Sequence, residues 1–332
     1  MDGCILDTNT MSYEEVLVAA KRISDFVVRT PIVTNATINK LTGREIFFKC
    51  ENLQKTGSFK VRGALNSMIS LKKNCKSLPG VTTHSSGNHG IAVAYAAKLN
   101  NLPCCVVLPN ITSKVKVQEV RNSDAEVILC EPTQLSRREA CEKVQKERGM
   151  AFIPPYDHPD VIAGQGTIGK EIMEQVEDLD AIIAPVSGGG LSSGIAIGAK
   201  GINSNVKMYL AEPEGKETER SLRAGERLWP NPPQSLRSVA DALTTQQLGQ
   251  LTWPILKELA EKEVFTMNDD QIISAMKLAW ENLKLVIEPA AAVGVAAILS
   301  NQMQRIPPSV KRICVVLCGG NVNLDNIPWA CS

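Results

Sequence analysis

The feature that most constrains the fold is a regular alternation of short apolar runs with longer segments of helical periodicity. The runs are four to seven residues long and rich in β-branched residues. They therefore predict strands that are buried on both faces. The predicted strands are residues 45–50, 81–84, 104–108, 126–130, 181–186, 206–212 and 312–317. Strands separated by helices of ten or more residues predict an α/β fold with parallel sheets covered by helices.

Helical periodicity fills most of the intervals between these strands. A first helix is predicted to begin at Ser12, because Ser12 and Glu15 have the spacing of a capping box. A second helix opens within residues 57–64 and continues to residue 73. The other predicted helices are 90–99, 112–122, 136–148, 164–176, 191–201, 250–261, 268–284 and 289–300. Because ligands bind at the carboxyl ends of parallel strands, the stretches that follow strands are the first place to look for a site.

Composition and charge exclude several kinds of partner. The 332 residues contain 36 Lys and Arg against 35 Asp and Glu, a net charge of +1 that argues against nucleic acid or an anionic membrane. The most apolar long run, residues 290–299, is too short to span a bilayer. The first residues lack the basic and apolar regions of a signal peptide. We therefore expect a cytoplasmic protein.

The ten cysteines do not form a metal-binding or disulfide pattern. No two of them have Cys-x-x-Cys spacing, and the chain has only three histidines, so a zinc site is not expected. Most of the cysteines lie inside apolar runs, where a reduced thiol behaves as a small hydrophobic side chain. This usage favours a reducing compartment.

Two stretches that follow predicted strands suit the binding of anions. Residues 85–90, Ser-Ser-Gly-Asn-His-Gly, offer hydroxyls and backbone N–H groups at a helix N-terminus, which suits a carboxylate. An ordinary turn with a helix cap is the alternative. Residues 187–194 contain three consecutive glycines whose N–H groups can converge on one phosphate. They lack the motifs of nucleotide and dinucleotide sites, so a phosphate monoester fits better.

The stretch at residues 57–64, Gly-Ser-Phe-Lys-Val-Arg-Gly-Ala, supplies a candidate nucleophile. Burial lowers the pKa of such a lysine below the value of about 10.4 for a free lysine, which favours its reaction with an aldehyde. A surface lysine at a helix start is the alternative. Cys318, after the last predicted strand, could hydrogen-bond a heterocycle nitrogen, although a simple turn has the same pattern. Together these stretches indicate pyridoxal phosphate and an amino-acid substrate.

The same stretches resemble the fold-type II pyridoxal-phosphate family, in the branch of serine racemase, threonine/serine dehydratase and hydroxyaspartate dehydratase. The resemblance covers nearly the whole chain. It rests on five ordered motifs, which are residues 55–64, 85–90, 161–167, 187–190 and 319–322.

The resemblance implies a tryptophan-synthase-β-like architecture and a homodimer. The large cofactor-binding domain would comprise residues 1–52 and 158–332, and a smaller inserted domain would comprise residues 80–157. Residues 53–79 would connect the two domains and carry the reactive lysine.

The resemblance also implies roles for individual residues. Lys60 would carry the cofactor and act as base on one face of the substrate α-carbon, and Ser86 would be the acid or base on the opposite face. The other cofactor-binding residues would be Phe59, Asn88, Ser187, Gly188, Gly189, Gly190, Leu191 and Cys318. Substrate contacts would come from Ser85, Ser86, Asn88, His89 and Arg137. A neutral thiol at Cys318 would leave the ring nitrogen largely unprotonated and limit carbanion stabilisation.

The chain departs from the family pattern at the divalent-metal loop of the racemases. Glu212 is kept and Lys216 could offer its carbonyl, but Thr218 stands where an aspartate is usual. Glu217 and Glu219 are alternative ligands. Because Mg²⁺ and Mn²⁺ prefer carboxylate and carbonyl oxygen, these residues are the candidate metal site.

A second departure lies in the nucleotide site of animal serine racemases. Lys55 and Thr56 match that site, but Ile91 and Ser123 stand where a glutamine and a tyrosine are found. The mismatch argues against activation by ATP.

The resemblance favours a serine racemase that also eliminates the serine hydroxyl to give pyruvate and ammonia, because Ser86 is present. A threonine/serine or hydroxyaspartate dehydratase without racemisation is the main alternative, and a racemase that acts on aspartate is another. A sulfur-amino-acid synthase is less favoured, because Asn52 is not followed by the proline of that class. A non-catalytic amino-acid sensor with the same fold is the alternative from another class.

Overall fold

The computed structural model describes residues 11–75, 77–85, 87–112, 114–228, 236–324 and 327–329, with only the backbone of Val115 and Gln134. The described strands are β1 Ile32–Thr34, β2 Glu45–Lys49, β3 Val81–His84, β4 Cys104–Pro109, β5 Glu126–Cys130, β6 Ala151–Phe152, β7 Ala181–Pro185, β8 Lys207–Pro213, β9 Val264–Met267 and β10 Arg312–Val316. The described helices are α1 Tyr13–Ile23, α2 Ala36–Thr42, α3 Lys60–Asn74, α4 Asn88–Leu99, α5 Lys114–Arg121, α6 Gln134–Arg148, α7 Pro159–Gln175, α8 Gly190–Lys200, α9 Thr218–Ala224, α10 Thr252–Leu259, α11 Asp269–Leu283 and α12 Pro289–Leu299.

The larger of two sheets has six strands in the order β1-β2-β10-β7-β8-β9. β1 pairs antiparallel with β2, and the other neighbouring strands are parallel. The central strand β7 is buried along its whole length, as its uninterrupted apolar sequence predicts. Helix α12 consists of apolar residues and one glycine, and it is buried in the same core. No described helix is long and apolar enough to cross a membrane.

The smaller sheet has four parallel strands in the order β5-β4-β3-β6. The alanine-rich helix α4 packs against it and shares its separate hydrophobic core. The prediction of an α/β fold with parallel sheets is therefore confirmed. The domain bounds at residues 52, 80 and 157 stay a prediction.

Among the helices that were predicted, the largest shift is at the start of α7, which begins at Pro159 rather than at residue 164. His158 caps this helix, because its Nδ1 accepts a hydrogen bond from Asp160 N at 3.2 Å. Proline suits the first helical position, where no N–H partner is needed. The sequence prediction also omitted α2, although Asn35 at its N-terminus and Gly43 at its C-terminus are ordinary helix-end signals.

Candidate active site

Backbone contacts bring the predicted lysine to the carboxyl end of β10. Phe59 N donates a hydrogen bond to Cys318 O at 3.1 Å, and Ser58 and Gly319 form an isolated antiparallel bridge. Lys60 follows directly as the first residue of α3. Two motifs that are more than 250 residues apart in the sequence therefore meet at one edge of the large sheet.

The Lys60 amine has a neutral hydrogen-bond partner. Its Nζ donates to Pro155 O at 2.7 Å and lies 5.0 Å from the centroid of the Phe59 ring. Burial lowers the pKa of Lys60 to about 8, while the negative potentials of Cys318 and Glu288 act in the opposite direction. An appreciable fraction of free amine near neutral pH suits attack on an aldehyde.

A buried ionic network fixes the helix that carries Lys60. Arg62, two residues later, is fully buried and donates to Glu51 Oε2 from Nε and to Glu51 Oε1 from Nη2, both at 2.8 Å. Its Nη1 also donates to Glu171 Oε1 at 2.7 Å, and Lys49 Nζ donates to Glu171 Oε2 at 2.5 Å. Burial alone lowers the pKa of Arg62, but the two carboxylates outweigh it and raise that pKa. The start of α3 is thereby tied to β2 and α7.

The glycine run lies between β7 and α8 and is crowded from both sides. A Cβ atom on Gly188 would lie 2.5 Å from the Tyr156 ring, and one on Gly190 would lie 2.8 Å from Tyr156 O. Gly189 has a φ of +95°, and a Cβ atom there would lie 2.7 Å from Thr252 Oγ1. Glycine is therefore required at these positions by close approach and by backbone conformation.

The same loop can hold a phosphate. The first N–H groups of a helix have no partner within it, and the positive end of the helix dipole attracts an anion. Two hydrogen bonds hold the backbone of the loop in place, because Gly188 O accepts from Gly249 N at 3.0 Å and from Thr252 Oγ1 at 2.7 Å. Ser187 and Leu191 flank the glycines as predicted. A phosphate cradle close to a lysine of lowered pKa fits pyridoxal phosphate.

Asn88, predicted to contact the cofactor ring, is held by two other side chains. Its Nδ2 donates to both carboxylate oxygens of Glu288 at 2.8 and 3.0 Å, and its Oδ1 accepts from Asn321 Nδ2 at 2.8 Å. Asn321 Nδ2 also donates to Thr56 O at 2.8 Å. The amide of Asn88 is thereby fixed in position at the start of α4.

Glu288 is a site residue that the sequence analysis missed. It is only 6% exposed, and burial raises its pKa to about 7, while the hydrogen bond from Asn88 acts in the opposite direction. The available signal was a single acidic residue directly before the apolar helix α12. Burial, followed by the potential of Glu288, raises the pKa of the Cys318 thiol well above its ordinary value. A thiol with a pKa raised in this way is neutral near pH 7, and the role of Cys318 as partner of the ring nitrogen stays a prediction.

The stretch after β3 is described in part. Ser85 Oγ accepts a hydrogen bond from Gly87 N at 3.3 Å, and α4 begins at Asn88. Ser86 lies outside the described residues. The His89 ring is buried, with its Nε2 3.0 Å from Ile153 O, and burial lowers its pKa to about 3. A substrate contact from His89 would therefore come from its backbone N–H group rather than its ring.

Arg137 lies on α6 beside the small sheet. Its Nε donates to Thr133 O at 3.4 Å within its own helix. Burial, and next the positive charge of Arg137, lower the pKa of His84, the last residue of β3. The charge of Arg137 thus acts on His84, which directly precedes Ser85 in the sequence. Its contact with substrate stays a prediction.

The three residues predicted for a divalent metal lie together but do not fit one. Thr218 Oγ1 donates to Glu212 Oε2 at 2.5 Å, and Lys216 Nζ lies 4.0 Å from the same oxygen. A cationic side chain therefore faces the carboxylate and would repel a metal ion placed there. Among the described residues, no group of three or more His, Cys, Asp and Glu side chains could hold a metal.

The residues matched to a nucleotide site share one cavity of about 340 Å³. Lys55, Thr56, Ile91 and Ser123 all line it, together with Glu119. Burial raises the pKa of Glu119. Ile91 places an apolar side chain in this cavity where the resemblance leads one to expect a glutamine. The absence of activation by ATP stays a prediction.

Known proteins match this chain along almost its whole length. A family model described as pyridoxal-phosphate dependent enzyme matches residues 23–319. The chain belongs to this family. Human serine racemase is 43% identical over 96% of this chain and 94% of its own length. The β-hydroxyaspartate dehydratase of Paracoccus denitrificans is 43% identical over 96% of this chain and 98% of its own length. The crystal structure of a pyridoxal-phosphate-dependent aspartate racemase has a TM-score of 0.93 and 47% identity, covering 96% of this chain and 98% of that one.

Membership of the pyridoxal-phosphate family confirms several predictions at once. The fold type, the enzyme class and the cofactor are those predicted from the five motifs. The roles of the individual residues stay predictions, supported for Lys60 and the glycine loop by the geometry described above.

Proposed function

We propose that the protein is a serine racemase that also eliminates the β-hydroxyl of serine to give pyruvate and ammonia. The observation that carries the proposal is the Lys60 amine, which has a lowered pKa and faces a neutral carbonyl between the phosphate loop and the carboxylate-binding stretch. Serine racemases from several organisms, including Dictyostelium discoideum at 44% identity, support it over nearly the full chain.

The first task of the site is to bind and orient the cofactor and the substrate. The loop of residues 187–191 would hold the cofactor phosphate through its N–H groups, and Phe59 would contact the cofactor. Asn88, fixed by Glu288 and Asn321, would contact the cofactor and help to orient it. When bound, pyridoxal phosphate withdraws electrons from the substrate α-carbon. The N–H groups and hydroxyls of residues 85–90 hold the substrate carboxylate.

The second task is to move a proton. Lys60 Nζ takes the α-proton on one face of the substrate, because its lowered pKa leaves an amine free to act as base. The Ser86 hydroxyl gives a proton to the opposite face, which inverts the configuration. Departure of the β-hydroxyl instead of protonation gives the elimination product. The neutral thiol of Cys318 would leave the ring nitrogen of the cofactor largely unprotonated.

A racemase or dehydratase for an acidic substrate is the second candidate. The aspartate racemase structure and the β-hydroxyaspartate dehydratase are as similar to this chain as the serine racemases are. Arg137, whose charge acts on His84 directly before Ser85, offers a positive charge for a second carboxylate. A homodimeric assembly and a cytoplasmic location belong to the proposal as well.

The deciding experiment follows the products of the holoenzyme from four substrates. L-serine, L-threonine, L-aspartate and threo-3-hydroxyaspartate are each incubated with the protein, and chiral chromatography is run beside a keto-acid assay. We expect D-serine and pyruvate from L-serine. D-aspartate from L-aspartate without turnover of L-serine would refute the serine assignment, and keto acid without D-serine would identify a dehydratase.

Two variants test the assigned roles. Ser86→Ala should abolish formation of D-serine while the cofactor stays bound, as read from its absorbance. Ser85→Ala is the matched control, and it should weaken substrate binding without abolishing inversion. Unchanged racemisation in Ser86→Ala would remove that residue from the mechanism. Lys60→Ala should lose both products.

A further inference from the structure

Lys216 joins three segments behind the phosphate loop. Its side chain is fully buried. The Nζ atom donates to Val186 O, directly before the loop, at 2.8 Å. It also donates to Leu243 O, at the end of the 3-10 helix Asp241–Leu243, at 3.4 Å. The amine therefore connects the end of β7, the turn after β8 and that short helix.

The same amine compensates a buried carboxylate. Glu212 is 1% exposed, and its Oε1 has no hydrogen-bond partner, while its Oε2 accepts from Thr218. Lys216 Nζ is 4.0 Å from Oε2. This nearby carboxylate favours the ammonium form of Lys216. An uncompensated carboxylate at this depth would be strongly destabilising.

The neighbouring carboxylates are engaged by arginines. Glu219 forms ion pairs with Arg223 at 2.9 Å and with Arg305. Glu217 pairs with Arg220 at 3.5 Å. Glu212 is therefore the carboxylate whose charge the Lys216 ammonium compensates. A divalent ion needs several oxygen ligands and no adjacent positive charge.

We propose that the Lys216 ammonium is a fixed internal cation that holds the entrance of the phosphate loop, so that the protein binds pyridoxal phosphate without a divalent metal ion. A covalently attached charge is present in every molecule, whereas a bound ion depends on its concentration in solution. Lys216 is therefore a positioning residue, which acts on the cofactor through Val186 and the loop. The inference rests on cofactor binding, and it holds whichever amino acid is the substrate.

The first test uses the wild-type protein. Apo-protein is titrated with pyridoxal phosphate in EDTA and again in excess Mg²⁺ or Mn²⁺, and the bound cofactor is read by absorbance. We expect the same dissociation constant and the same thermal unfolding midpoint in each condition. Loss of affinity in EDTA that Mg²⁺ restores would overturn the proposal, because a metal ion would then share the site.

The second test removes the internal charge. Lys216→Ala should weaken cofactor binding in EDTA by about tenfold or more, because Glu212 is left buried without a cation. Methylammonium or a divalent ion, entering the space left by the side chain, should restore affinity. Lys200→Ala is the matched control: Lys200 Nζ also donates to two backbone carbonyls, of Ser204 and Val206, but at the far end of α8. It should bind the cofactor as the wild type does.

Two results from this variant would refute the proposal. One is unchanged cofactor affinity in EDTA, and the other is a weakened affinity that no cation restores, because packing rather than charge would then explain it. If Lys216→Ala does not fold, Lys216→Ala with Glu212→Gln removes both charges. This pair should fold and bind the cofactor weakly, with no response to cations. Wild-type affinity in the pair would refute the proposal equally.

Discussion

Replacing Arg62 by methionine tests whether the buried ionic network stabilises the helix that carries Lys60. Arg62 makes six hydrogen bonds, to Glu51, Glu171, Thr167 and Val28. The side chains of Arg62 and Glu51 are both 0% exposed. Methionine fills much of the volume, but it leaves the Glu51 carboxylate buried without its cation. Breaking a buried pair in this way costs about 3–5 kcal/mol.

That loss is a large part of the stability of an ordinary domain, which is about 5–15 kcal/mol. The free energy of unfolding is measured by urea denaturation of the apo-protein, because bound cofactor adds its own stabilisation to the native state. Arg138→Gln is the control, since Arg138 pairs with Glu142 at 2.8 Å on the exposed face of α6. An exposed pair contributes about 0.2–1 kcal/mol.

The comparison of the two variants decides the question. Arg62→Met should lose several times more free energy of unfolding than Arg138→Gln. A second substitution, Glu51→Gln, should recover part of the loss, because it removes the unpaired charge. If the two variants have the same urea concentration at the midpoint of unfolding, the buried network does not stabilise α3.

Three further predictions concern the cofactor site. Gly189→Ala should weaken cofactor binding by about tenfold or more in an absorbance titration, because a left-handed residue and a contact with Thr252 each oppose the new Cβ atom; unchanged affinity would mean that the loop relaxes freely. The raised pKa of Glu288, about 7, means that its contribution to the free energy of unfolding is full below its ordinary pKa and is lost as pH rises through 7. Glu288→Gln should remove that loss between pH 5 and pH 8 in urea denaturation, and an unchanged pH dependence would contradict it. The rate at which apo-protein combines with pyridoxal phosphate should rise with an apparent pKa of about 8, set by the Lys60 amine; a rise only above pH 10 would show an ordinary lysine.

The strands that the sequence predicted have strong local signals. β4 and β7 are uninterrupted apolar runs, because each lies inside a sheet and is covered on both faces. β3 has the sequence Val-Thr-Thr-His, and its first three residues are buried although only one of them is apolar. The strands that the prediction missed lie at the edges. β6 has two residues, and β9 pairs with β8 alone and follows the charged residues Glu261, Lys262 and Glu263. An edge strand has less need of a continuous apolar sequence, so its signal is weak.

Some residues of the site could likewise be predicted from local sequence, whereas others depend on contacts between distant parts of the chain. The glycine run and the lysine stretch could be recognised in the sequence, because the residues that define each motif are contiguous. Glu288 holds Asn88 across 200 residues of sequence, and a single acidic residue before an apolar helix does not reveal such a contact. The direction of the Lys216 side chain was also hidden, because the family resemblance assigned a possible metal-binding role to its carbonyl and none to its amine.

The structure distinguishes Lys60 from two other buried lysines by the charge of their partners. Lys49 Nζ is 2.5 Å from Glu171, and Lys216 Nζ is 4.0 Å from Glu212, so each of these amines faces a carboxylate. Lys60 Nζ instead meets a neutral carbonyl, which accepts a hydrogen bond without stabilising the charge to the same degree. Burial acts on all three amines, but only at Lys60 does it leave the amine without a carboxylate partner. The nucleophile is therefore identified by the absence of that carboxylate as much as by the motif around it.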